Sequence, residues 1–400
     1  MTGAVTDGGL LDSATLRGLA ELGLGPQPLP RLEAMVAAQL GRPRVRLLTA
    51  RRQAHPYDRP ALTTAGRHLV CGTAADDTGR TRDYAFFVKV VRAWRKSPLS
   101  AEVPEPLRAL LTPLMPWRTE PDIYKGDLRR RLPRGLSLPH AYRVTDLDAE
   151  SATIWLDHVP VRRVRWDVAV HRHAAYLLGR LAASPSVAPL AARVPVGRTA
   201  RRFAEHWLAV NVVPQLAGDA LWRQPHVAAS FDAPLRRRIL RAAAALPALV
   251  DELESLPTTT AHGDACTDNL LRTRRDNDIV LIDFGFWGTA PVGFDLGQLL
   301  LGEVQLGRRS ARTVPELAAA CVPAYVRGLR AEGCTIAEHQ VRRAHALVMT
   351  IFHAIRRSPT STGPAGPGRS CTRSSRTGPR WPTASSTSSM PPERSDRPRR

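Results

Sequence analysis

The order in which hydrophobic periodicity changes along the chain limits the architectures open to it. Residues 44–50, 68–74 and 84–91 read as three extended runs, the last two separated by the turn-rich Ala75-Asp76-Asp77-Thr78-Gly79-Arg80. Hairpin-like links between consecutive strands predict a small antiparallel sheet. Helical spacing follows at 107–114 and 123–132, then extended runs at 141–144 and 152–156. From Val168 onward helices predominate, over 168–183, 200–217, 234–255, 294–305, 315–332 and 336–357. The exception is 278–284, a β-branched run of the kind a buried strand needs. The fold class expected is α+β, with a small antiparallel-sheet lobe followed by a larger, mostly helical one. A cleft between two such lobes is a common place for a ligand.

The boundaries that follow are a helical segment over 1–40, broken by Gly25-Pro26 and by Pro28 to Pro30, a sheet lobe over 41–158 and a helical lobe over 159–358. The last 42 residues, 359–400, contain no Leu, Ile, Val or Phe and eight prolines, so they cannot bury a core and are expected to be disordered. Such an abrupt change, directly after an amphipathic helical pattern, is also what a shift of reading frame near Ser358 would produce.

Composition narrows the function. A formal net charge of +21 invites a nucleic-acid or anionic-membrane partner, but lysine occurs only at 89, 96 and 125 and the remaining basic residues are arginines. The arginine clusters, at 129–131, 162–165, 201–202 and 236–238, lack interleaved aromatic residues and read as solvated faces. Neither a nucleic-acid nor a membrane partner is expected. The five cysteines are scattered and form no C-x-x-C pair, which argues against a disulfide framework and a zinc site. No window approaches 18 uninterrupted apolar residues, and the first 27 residues lack a basic stretch followed by an apolar run, so a cytoplasmic protein is expected.

The chemistry is concentrated in His262-Gly263-Asp264-Ala265-Cys266-Thr267-Asp268-Asn269 and, fourteen residues after Asn269, in Asp283-Phe284-Gly285 on the heels of Ile279-Val280-Leu281-Ile282. An aspartate with an asparagine five residues on, and a second aspartate ending an apolar strand, is the spacing used in phosphoryl transfer. One carboxylate orients and deprotonates a hydroxyl, while an amide oxygen and another carboxylate hold Mg²⁺ against a triphosphate. The alternative is a loop, strand and turn whose aspartates only cap backbone donors.

These runs resemble the catalytic and metal loops of the aminoglycoside phosphotransferase and choline kinase-like family, whose members share a two-lobed protein kinase-like fold. The resemblance implies that Asp264 is the base, that Asn269 and Asp283 are the metal ligands, and that His262 structures the loop. It further implies that Lys89, in Phe86-Phe87-Val88-Lys89-Val90, neutralises the α- and β-phosphates, and that Glu120 pairs with it four residues before an aromatic, Tyr124. Ile154-Trp155-Leu156-Asp157-His158-Val159 resembles the interlobe linker, which assigns Trp155, Asp157 and Val159 to the nucleotide. Residues 51–67 contain Gly66 but no G-x-G-x-x-G, and the chain has no G-x-x-x-x-G-K-[ST], which excludes a P-loop enzyme.

The implied function is transfer of the γ-phosphoryl group of ATP, or another nucleoside triphosphate, to a hydroxyl of a small molecule with Mg²⁺. A catalytically idle nucleotide-binding or scaffold protein of the same fold is the alternative. Residues 291–301 read as a turn followed by a buried helix, which leaves no room for the exposed peptide-binding segment of a protein kinase. Asp295, at the amino end of that helix, is expected to cap it, the other option being a brace on the catalytic loop. From His262 to Glu303 there are seven acids against three arginines, an acidic island that fits Mg²⁺.

Overall fold

Alternation of side chains along the extended runs decides what the sheet separates. The computed structural model describes residues 12–55, 61–161, 164–194, 199–273 and 278–356; the expected disorder of 359–400 falls outside them. Strands β1 (Val45–Ala54), β2 (Thr64–Asp76) and β3 (Thr81–Arg92) form an antiparallel meander. After a helical stretch come the short β4 (Leu136–Ser137) and the hairpin of β5 (Ala141–Asp148) and β6 (Ser151–Asp157). The sheet order is β1-β2-β3-β6-β5, antiparallel throughout, with β4 in a different sheet.

Strand residues alternate between faces. On β3, Tyr84, Phe86 and Val88 enter one apolar cluster, while Phe87 packs against another. The first cluster is completed by helices Ser13–Leu19 and Pro28–Leu40 and the turn between them, through Leu19, Leu22, Leu24, Leu32 and Val36. On β6, Trp155 joins this cluster while Ile154 and Leu156 join the other. The indole of Trp155 is fully buried, donates its Nε1–H to the Leu22 carbonyl at 2.8 Å, and lies edge-on to Phe86.

The helical lobe is built on helices Val168–Ala183 and Val314–Ala331. They cross so closely that a Cβ at Gly179 would stand 2.1 Å from the Tyr325 carbonyl oxygen, and one at Gly328 2.1 Å from that of Tyr176. Three very short strands, β7 (Thr258–Ala261), β8 (Leu270–Arg272) and β9 (Ile279–Leu281), and then β10 (Gly288–Pro291), frame the loops that carry His262 to Asn269 and Asp283. β10 pairs antiparallel with β7, and β9 lies between β4 and β8. Helix Phe294–Gln305 follows, with Leu296, Leu299 and Leu300 fully buried.

The architecture is the expected α+β one, with differences in detail. The single helix predicted over 234–255 is two, Ala233–Ala244 and Leu246–Ser255, because Pro247 lacks the N–H a continuous helix needs. The strand predicted over 278–284 stops at Leu281, because Asp283 leaves the extended region at φ 65°. No helix among the described residues is long and apolar enough to cross a membrane.

Replacing Trp155 by Ala removes a large side chain from the centre of the sheet-and-helix cluster, and the expected loss is about 3–5 kcal/mol in urea denaturation. A loss under about 1 kcal/mol would contradict this placement of the indole.

Candidate active site

Lys89 occupies the face of β3 opposite the helix-covered cluster, and it is only 5% exposed. An ammonium so buried needs anionic partners. Glu120, 4% exposed in helix Thr119–Lys125, accepts from its Nζ at 2.5 Å, and Asp283 accepts at 3.0 Å. Burial works against the lysine charge, but the two carboxylates outweigh it and hold its pKa above the ordinary lysine value. Glu120 is pushed up by burial, and Asp283 is held below the usual carboxylate range by Lys89 against the opposing effect of burial.

Asp283 is the one non-glycine with positive φ among the described residues. Its neighbour secures it. Phe284 is fully buried, edge-on to Tyr124 at 5.8 Å and within 5.1 Å of the His262 ring. The aromatic that follows Glu120 by one helical turn thus packs on the aromatic that follows Asp283.

The loop from His262 to Asn269 is held from three sides. Gly263 has φ 84°, and a Cβ there would lie 2.0 Å from the Phe286 carbonyl oxygen, so glycine is required. Asp295 does not cap its helix. Its Oδ2 accepts from the His262 N–H at 2.8 Å and its Oδ1 from the Gly263 N–H at 2.9 Å, while Gly293 holds the N-cap position. The expectation of a cap is therefore corrected to a brace, since a carboxylate inside the first turn can reach across to the loop. Burial raises the Asp295 pKa to about 6 despite these two bonds. His262 is fully buried, and its Nε2 lies 3.0 Å from the Ile282 carbonyl, which can only accept. The proton therefore sits on Nε2, and Nδ1 accepts from the Asp264 N–H at 3.4 Å.

Asp264 is held at both carboxylate oxygens. Gln298 Nε2 donates to Oδ1 at 3.0 Å, and Asn269 Nδ2 donates to Oδ2 at 3.2 Å and to the Asp264 carbonyl at 2.9 Å. Gln298, contributed by helix Phe294–Gln305, was missed in the sequence; its position three residues after Asp295, on the same helix, was the available signal. The amide nitrogen of Asn269 is committed to Asp264, so its oxygen is the atom suited to ligation. With the carboxylate of Asp283, whose side chain keeps 36% exposure, this is a set of hard oxygen donors of the type Mg²⁺ takes. Among the described residues no three His, Cys, Asp or Glu side chains cluster to hold a metal unaided. Burial pushes the Cys266 thiol up to about 12, which removes it as a nucleophile.

Lys89, Glu120, Asn269 and Asp283 line one cavity of about 670 Å³, together with Asp157 and Val159 from the linker. Linker residue His158 donates its N–H to the Ala85 carbonyl at 3.4 Å. The Asp157 carboxylate is tied to Tyr142 Oη at 2.8 Å and Gln39 Nε2 at 3.2 Å. Trp155 stands outside the cavity. It is paired on both edges, with Val88 of β3 and Arg143 of β5, so neither its side chain nor its backbone faces a ligand.

The buried histidine and carboxylate titrate with opposite signs. His262 and His345, both lowered by burial to about 4, stay neutral in the fold while the unfolded chain takes up protons below about 6.5. Their contribution is complete above about 6.5 and is lost as pH falls toward 4. Asp295, raised to about 6, opposes this over part of the same range. Removing one depressed imidazole, His262→Gln, is expected to make the loss of stability between about pH 6.5 and 4 smaller in denaturant titrations. An unchanged slope would refute the burial of a neutral imidazole.

Comparison with curated proteins returns no match. Among solved structures the chain is similar to an amicoumacin kinase in complex with AMP-PNP and Ca²⁺, at 13% identity and TM-score 0.41 over 80% of this chain and 84% of that one. It is also similar to an aminoglycoside phosphotransferase from Streptomyces rimosus in complex with ADP and streptomycin, at 16% identity and TM-score 0.36 over 81% and 98%. A macrolide 2'-phosphotransferase type I aligns at 16% identity and TM-score 0.37 over 80% and 88%. The family model described as the phosphotransferase enzyme family (APH) matches residues 128–343, more than half of the chain, and the protein belongs to that family, with its two-lobed protein kinase-like fold.

Proposed function

We propose that this phosphotransferase moves the γ-phosphoryl group of ATP to a hydroxyl of a small molecule. The observation that carries the reading is the Asp264 carboxylate, fixed at both oxygens by Gln298 and Asn269 and set in a loop whose Asn269 shares one cavity with Lys89, Glu120 and Asp283. A carboxylate held in this way is oriented to accept the hydroxyl proton as the phosphoryl group leaves the nucleotide. Lys89, kept charged and placed by Glu120, clamps the phosphates; the linker from Asp157 to Val159 borders the base. Asn269 and Asp283 would hold Mg²⁺, which when bound neutralises the triphosphate charge.

The segment after Asp283 supports a small acceptor. Residues 288–291 are paired with β7, and the following helix is buried along Leu296, Leu299 and Leu300, so this stretch offers no platform for a peptide substrate. Free thiols at Cys71, Cys266, Cys321 and Cys334 accord with a cytoplasmic setting.

The test is ATP consumption with Mg²⁺ across a panel of hydroxylated metabolites. Asp264→Asn is expected to lower kcat by about 10²- to 10⁴-fold while thermal stabilisation by ATP persists. Asp283→Asn is expected to abolish turnover, and chelation of Mg²⁺ by EDTA to do the same in the parent protein. Full activity of either variant, or stabilisation by ATP with no turnover on any acceptor, would overturn the assignment in favour of an idle nucleotide-binding protein.

A further inference from the structure

We infer that Arg67 is a second phosphate-binding cation, acting beside Lys89 on the triphosphate; the inference rests on the phosphotransferase reading of the cleft. Arg67 lies on β2 directly opposite Lys89 in the antiparallel register. Such cross-strand partners project from the same face with Cβ atoms about 4.5–5.5 Å apart, where like charges destabilise a sheet. Both side chains line the same cavity. Two cations opposed in register and opening on one cavity form a site suited to an anionic ligand.

Charge accounting points the same way. Lys89 Nζ donates to Glu120 at 2.5 Å and to Asp283 at 3.0 Å, and Arg67 lines the cavity that all three share. A polyanion entering this cavity meets Lys89 and Arg67 side by side.

The sequence supplies the reason a second cation is needed. Residues 51–67 hold a single glycine, Gly66, and so lack the glycine-rich loop whose backbone N–H groups would cover the phosphates. A guanidinium, with its planar fork of donors, can meet two phosphate oxygens at once, which an ammonium cannot. The backbone of Arg67 is fixed on both edges of its strand, since its carbonyl accepts from the His55 N–H at 2.8 Å and its other neighbour is Lys89.

The experiment compares binding of ATP and of adenosine, each with Mg²⁺, to the full chain and to Arg67→Gln and Arg67→Lys. Arg67→Gln is expected to weaken ATP by about 10- to 100-fold and leave adenosine unchanged. Arg67→Lys should recover part of the loss, and in turnover the KM for ATP should rise while that for the acceptor holds. Equal ATP affinity in Arg67→Gln, or an equal loss for ATP and adenosine, would overturn the inference while leaving the phosphotransferase reading intact. A parent protein that binds neither nucleotide would overturn both.

Discussion

The site depends on one buried charge. The Lys89 ammonium draws together a strand of the sheet, a helix that follows it and the loop after β9, because each supplies either the cation or one of its two carboxylates. Desolvating a lysine costs several kcal/mol unless the geometry returns it, and removing one partner leaves an uncompensated charge in the interior. The contact that aligns Lys89 with Asp283 therefore also ties β3 to the loop after β9.

Around that contact the polar groups are fixed before any ligand arrives. Asp295 spends both carboxylate oxygens on the loop backbone, His262 links the loop to Ile282, and Gln298 and Asn269 hold Asp264. Little reorganisation is left for the Asp264 carboxylate, the proposed base, and preorganisation of this kind is what lowers a barrier. Two of the supporting groups, Asp295 and Gln298, come from helix Phe294–Gln305, which serves both as core and as the back wall of the loop.

Much of this was legible in the sequence where local spacing carries the information. The loop from His262 to Asn269 and the Asp283 triplet are compact patterns, and Lys89 stood out as a charged residue in an alternating apolar strand. Groups contributed from a distance were harder to read. Asp295 looked like a cap because its local sequence is that of a helix start, and only the tertiary approach of the loop changes its role. Trp155 could not be separated from its neighbours because alternation shows that faces differ, not which face meets the cleft. β7, β8 and β10 have three or four residues each, too few to leave a periodic signal, and Arg67 gains meaning only through its register with Lys89.

The backbone of Asp283 sets two demands that no single residue can meet. A left-handed conformation costs an ordinary side chain roughly 1–3 kcal/mol, and glycine would relieve it. Glycine carries no carboxylate for the ammonium or for a metal. The loop therefore stores a local instability that the packing of Phe284 on Tyr124 and His262 must offset. Variants chosen only for heat resistance would drift toward glycine at this position and lose their chemistry in doing so.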